Sequence, residues 1–211
     1  MEYIEKDSKY ARWFSLTKPE VQKCYFQGNI KYLSQSYKRI CIVGSRKMTN
    51  YGRQVLEYLI PYILSQNMLV VSGGAFGVDI YAHQLVRQFQ SPGVVVLPSS
   101  LEHVYPKQNQ STIQYFASQG LILSENQKVR PNKYDFIARN RIMAAIADLV
   151  VIIEAAKQSG SLHTANFALE NGINVAAIPG EIFSPQSKGC NQLISNGAHL
   201  ILEPKDILNL I

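Results

Sequence analysis

Short apolar runs alternate along this chain with longer stretches whose apolar residues recur every three to four positions, and that alternation constrains the fold more than any other feature. The runs cover Ile40–Gly44, Leu69–Ser72, Val94–Leu97, Leu121–Ser124, Leu149–Ile153, Val175–Ile178 and Ala198–Leu202, each bounded by Gly, Pro, Ser or Asn. They read as strands. Between them, Tyr51–Gln66, Val78–Phe89, Asn109–Ser118, Leu162–Asn171 and Asn191–Asn196 read as helices. Strands rich in Val, Ile and Leu without a polar face are buried on both sides, and parallel strands need crossover helices to connect them. The expected architecture is therefore α/β, a doubly wound and mostly parallel sheet with helices on both faces. Residues 1–38 stand outside the rhythm, being rich in Lys, Tyr and Gln. They read as a leader, with one short helix and a turn at Gly28-Asn29, packed on a domain spanning 39–211.

Ligands of such sheets bind beyond the carboxyl ends of the strands, so the informative residues are those that follow each run. The first run ends in "IVGSRKMTNYG", where Gly44 and Ser45 make a strand-to-helix turn that a glycine eases conformationally and Arg46 projects at the sheet mouth. Arg46 is either a surface arginine after a tight turn or a fork for phosphate, which guanidinium matches with two parallel bonds. The second run enters "VSGGAFGVDIYAH", whose Gly73, Gly74 and Gly77 have the form of a phosphate-cradling loop feeding a helix. Ser72 stands where a dinucleotide fingerprint needs its first glycine. The next strand ends in Leu97-Pro98-Ser99, with no acid for a ribose, so no cofactor is expected. Lys107 follows the rigid Tyr105-Pro106 turn. Ser159, Gly160 and Ser161 open a later helix, as a plain N-cap or as a seat for an anion.

The stretch "PNKYDFIARNRIMAAIADLVVIIEA" sets Lys133, Arg139 and Arg141 around Phe136 just before a strand. Arg139 and Arg141 are two apart and point roughly 200° from each other on a helix, so both cannot serve one face. One of them is expected to hold structure through an acid or carbonyls. Asp79 and His83 lie one turn apart, as a helix-start acid and a packed histidine, with no third partner for acid–base chemistry. There is no Walker loop, nucleophile elbow or Cys/His cluster, so neither a catalytic residue nor a metal site is assigned.

Composition bears on the partner. The 211 residues are 46% hydrophobic, enough for one sizeable core, and 21 Lys and Arg against 15 Asp and Glu give a net charge of +6. A polyanion suits that balance. Cys24, Cys41 and Cys190 are odd in number and widely spaced, which fits a reducing cytoplasm and neither a disulfide framework nor zinc. No apolar run approaches the roughly 18–20 residues of a membrane span, and the start lacks the apolar stretch of a signal peptide.

In order, the blocks "FQGNIKYL", "IVGSRKMTNYG", "VSGGAFGVDIYAH", "EHVYPKQN", "LILSE", "FIARNRIMAAIADLVVIIEA", "SGSLHTANFALENG", "AIPG" and "GCNQLISNGA" resemble the DNA-processing protein A (DprA/Smf) family over most of the chain. The resemblance implies a Rossmann-like domain that binds single-stranded DNA and passes it to the RecA recombinase in natural transformation. It also implies a homodimer that acts as a recombination mediator and not as an enzyme. Residue by residue, it implies that Arg46 of Gly44-Ser45-Arg46 binds phosphate, and that Lys133 and Phe136 form a basic and aromatic pair. The functions of the helical module that some members carry before this domain, and of the winged-helix-like module that many carry after it, are not expected to be inherited from these 211 residues.

A positive groove with aromatic platforms is the general means of holding single strands without sequence preference. Arg46, Lys107, Lys133 and Arg139 would track phosphates while Phe136 meets a base. The rival readings are a nucleotide-binding sensor domain and a phosphoribohydrolase-like enzyme, whose loop "SGSLHTANFALE" distantly resembles. Phe167 stands three residues after Thr164, where that chemistry needs a carboxylate, and Glu170 comes almost a turn later.

Overall fold

The computed structural model describes residues 2–211, and among them nine strands form one sheet in the order β1-β2-β6-β5-β4-β3-β7-β8-β9. The core strands are β3 (Arg39–Val43), β4 (Leu69–Ser72), β5 (Gly93–Val96), β6 (Leu121–Ser124), β7 (Leu149–Ile152), β8 (Asn174–Ala177) and β9 (His199–Leu200). All their mutual pairings are parallel. The chain builds outward from β3 through β4, β5 and β6, then returns to place β7 on the other side of β3. Here the winding reverses, so the connections leave the carboxyl ends of β3 and β7 in opposite directions and open a crevice between them.

Side-chain alternation along the strands divides the core in two. Cys41 and Val43 face α4 (Lys133–Ile146) and α5 (Ser161–Glu170), whereas Ile40 and Ile42 face α1 (Asn50–Ser65), α2 (Val78–Gln88) and α3 (Gln110–Gln119). The last helix, α6 (Lys188–Ser195), packs against β8. The three cysteines are buried and unpaired.

Two further strands lie in the amino-terminal segment that the sequence pattern leaves outside the alternation. β1 (Glu2–Glu5) pairs with β2 (Lys23–Gly28), and β2 pairs with β6, both antiparallel. In β1 only Ile4 is buried, so a four-residue strand with one inward apolar residue gives little periodic signal. Between them Trp13 and Phe14 are buried in the α4–α5 side of the core.

Candidate nucleic-acid interface

A cleft of about 760 Å³ opens at the carboxyl ends of β3 and β7. One wall is the turn after β3. Ser45 is fixed there: its hydroxyl accepts from the Lys47 N–H (3.0 Å), and its carbonyl accepts from the Val78 N–H (3.1 Å). Gly44 owes its identity to close approach and not to an unusual backbone, since a Cβ there would fall 2.7 Å from Val78 Cγ2 and its φ is not positive. Arg46 and Lys47 then extend into solvent with no ion-pair partner among the described residues.

The second wall is α4, and a capping box fixes where it starts. The Asn132 side chain accepts from the Tyr134 N–H (2.8 Å) and the Asp135 N–H (3.3 Å), while the Asp135 carboxylate accepts from the Asn132 N–H (2.7 Å). Against burial, which would raise it, Lys128 2.7 Å away and the bond from the Asn132 N–H hold the Asp135 carboxyl below its usual range. Lys133 is thereby the first helical residue, and Lys133, Phe136, Asn140 and Met143, at spacings of three, four and three, line the cleft as one stripe. Phe136 is half-buried between two neighbours. The Arg46 guanidinium lies 4.9 Å from its ring centroid, and Tyr105 meets it edge-on at 5.8 Å. The back of the cleft is the Ser159–Ser161 turn, tied to α4 by Asn140 Nδ2 donating to the Gly160 carbonyl (3.1 Å). The Ser159 and Ser161 hydroxyls bond each other at 2.8 Å.

Of the residues that the sequence singles out, Gly44, Ser45, Arg46, Lys133, Phe136, Arg139, Ser159, Gly160 and Ser161 come together at this cleft. Gly73, Gly74 and Lys107 do not line it. The glycine turn is not an open cradle: Gly73 and Gly74 are both buried, and the Arg139 guanidinium fills the space over Gly73. Arg139 itself is only 4% exposed, donating to the Val96 carbonyl (3.0 Å) and the Asn140 side chain (3.1 Å) at the margin of an ion pair with Asp79 (4.0 Å). Burial raises the Asp79 carboxyl and lowers the Arg139 guanidinium, each opposed by the other's charge. Lys107 is exposed in the 3₁₀ turn after β5, where Tyr105 rather than the lysine reaches Phe136. Arg141 turns away and grips Glu125 through both guanidinium nitrogens, at 2.9 and 2.7 Å. The sequence does not single out Lys47 and Asn140, which line the cleft, or Tyr105, which packs on Phe136, and only the stripe spacing on α4 offers a signal for Asn140.

The cleft suits an anion with a flat apolar part. Asp79 is the one carboxylate among the described lining residues, and it is buried beside Arg139. Glu154, also buried, is committed to the backbone N–H and hydroxyl of Thr49 at the start of α1. Glu170 is exposed at the far end of α5. His83 is wholly buried against Phe116, at 4.8 Å, and faces no solvent.

The family model described as DNA recombination-mediator protein A matches residues 3–211. DNA processing protein DprA of Bacillus subtilis is 32% identical over 200 residues, covering 94% of this chain and 67% of its own length. The X-ray structure of DNA processing protein A from Streptococcus pneumoniae superposes with a TM-score of 0.92 at 32% identity, over 99% of this chain and 73% of that one. A structure bearing on the single-stranded DNA binding mode of the Helicobacter pylori protein gives 0.87 at 32% identity, over 99% and 95%. The chain spans about two thirds of the length of the curated relatives it matches first. It belongs to the DNA recombination-mediator protein A (DprA/Smf) family.

Proposed function

We propose that this chain binds single-stranded DNA in the cleft between β3, β7 and α4, and that it acts as a recombination mediator, holding the strand for transfer to a RecA-type recombinase. The observation that carries this reading is the exposed, unpaired Arg46 lying over Phe136, with Lys47 and Lys133 lining the same cleft. Cations beside an aromatic face are what a phosphate backbone with unpaired bases requires, because every base has a π-face to stack. Duplex DNA hides those faces. The Helicobacter pylori relative, described for its single-stranded DNA binding mode, supports the same assignment. In this reading Arg46, Lys47 and Lys133 meet phosphates and Phe136 meets a base. Arg139 supports the floor, and the Ser159–Ser161 turn offers backbone donors. The protein binds and presents DNA and performs no reaction on it. Two chains associating as a homodimer would double the footprint and raise avidity.

Salt-titrated binding of single- and double-stranded oligonucleotides, with mass measured in solution, tests this. About three phosphates neutralised gives a log–log slope near −2 for single strands. A flat salt dependence, or equal affinity for duplex, would overturn it.

A further inference from the structure

Among the described residues, the two most exposed large apolar side chains are adjacent: Ile182 at 73% and Phe183 at 88%. They are the central residues of a turn after β8, closed by the Ser184 N–H donating to the Glu181 carbonyl at 3.1 Å. Turn centres ordinarily take Gly, Pro, Asn or Asp, so an isoleucine and a phenylalanine held in water there need a reason. The turn is not a loose excursion. Before it, Gly180 is bonded through both its N–H and its carbonyl to the Asn191 side chain (3.1 and 2.9 Å), and the Pro179 carbonyl accepts from the Tyr51 hydroxyl (2.7 Å). After it, the Gln186 carbonyl accepts from the Ala155 N–H at 2.7 Å, and the Gln186 side chain belongs to the cleft lining. The α6 start presses on the same seam, where the Gly189 N–H donates to the Ala155 carbonyl (2.7 Å). Lys157, two residues after Ala155, and Lys188, the first residue of α6, flank this seam, and both are exposed and without an ion pair among the described residues.

We infer that Phe183 is a second base-stacking platform, and that a bound single strand leaves the cleft past Gln186 with its phosphates along Lys157 and Lys188. The inference rests on the single-strand reading of the cleft and extends its footprint across the seam between the β7 and β8 connections. An exposed aromatic on a backbone-fixed turn, followed five residues later by Lys188, offers the same kinds of group as Phe136 with Arg46 and Lys133. The test compares oligothymidylates of about 5 and about 15 nucleotides, spanning the range of single-strand site sizes, on the wild type and on Phe183→Ala, Lys157→Gln/Lys188→Gln and Arg46→Ala. Phe183→Ala is expected to bind the short oligonucleotide as the wild type does and to lose roughly tenfold or more in affinity for the long one, with its salt slope kept. The double lysine variant is expected to flatten the slope by about 1.4 for the long oligonucleotide alone. Equal long-strand affinity in Phe183→Ala and wild type would overturn the inference, as would loss of an oligomer from Phe183→Ala with unchanged affinity per chain. The cleft reading falls separately: it fails if Arg46→Ala binds both lengths as the wild type does.

Discussion

The Arg139 guanidinium occupies the space that any side chain at position 73 would need: a Cβ built on Gly73 lies 1.2 Å from Nη1 and 2.1 Å from Cζ. Arginine ends are usually free to swing aside, but this one is buried and bonded to the Val96 carbonyl and the Asn140 side chain. Displacing it would leave a buried cation and Asp79 without each other. Gly73→Ala is therefore expected to lower folding stability by about 3 kcal/mol, in the range for breaking a buried ion pair, read as a shift in urea midpoint at unchanged slope. A neutral outcome would mean that the cleft floor relaxes and that Arg139 is not fixed there.

Arg46, Lys133 and Phe136 are at the surface, so their removal should act on binding and leave the fold alone. Arg46→Ala and Lys133→Ala are each expected to make the salt slope shallower by about 0.7. Phe136→Ala should cost about 1–3 kcal/mol of single-strand affinity while keeping the slope, because a stacking partner and not a charge is lost. Arg46→Lys would restore the slope and only part of the affinity, since an ammonium provides neither the fork nor the stacking plane. Unfolding of any of these variants, seen by circular dichroism, would assign the residue to structure.

The parallel half of the fold is legible because β3 to β8 are buried on both faces and punctuated by turn residues, a pattern that polar edges do not blur. The amino-terminal pair is not. Only Cys24 of β2 is fully buried; β2 exists through pairing with β6, and β1 through pairing with β2, tertiary partners that local sequence cannot announce. The candidate site divides on similar lines. Residues following strand ends fall into place because the winding rule puts them there, which locates Arg46 and the Ser159–Ser161 turn. Sequence spacing also separates Arg139 from Arg141. It does not tell which cation is buried, since that depends on a carbonyl 43 positions away, at Val96. The glycines of "SGGAFG" carry the same lesson: the turn that can cradle a phosphate instead makes room for the protein's own guanidinium.

Arg141 joins three parts of the chain. It grips the Glu125 carboxylate after β6, donates to the Ala138 carbonyl (2.6 Å) within α4, and donates to the Pro19 carbonyl (3.0 Å) in the amino-terminal segment. Its side chain is 5% exposed while that of Glu125 is 25%, so the pair is partly screened. Arg141→Ala is expected to cost about 2–3 kcal/mol of stability and to leave the single-strand affinity and salt slope of the folded protein unchanged. Arg141→Lys should recover little, having lost the two-pronged contact. A loss of binding at full folding would move Arg141 into the groove.

His83 gives the fold a pH dependence of predictable sign. Its ring is wholly buried beside Phe116, and neither nitrogen has a partner within hydrogen-bond geometry, the Ser72 backbone lying near but outside it. Burial, with a smaller contribution from the Arg139 charge, pushes the imidazole from 6.5 down to about 4. The unfolded chain therefore takes up the proton first as pH falls. Stability from this residue is complete above pH 6.5 and drains as pH drops towards about 4, a loss of roughly 3 kcal/mol at 1.36 kcal/mol per unit. Asp79 works the other way, because its raised carboxyl makes the folded state hold a proton above the usual carboxylate range, adding stability as pH falls through that range. Urea midpoints measured between pH 7 and pH 4.5 should fall for the wild type and fall less for His83→Leu, which keeps the apolar contact and removes the proton site. Parallel curves for the two proteins would show that His83 titrates alike in the folded and unfolded chains.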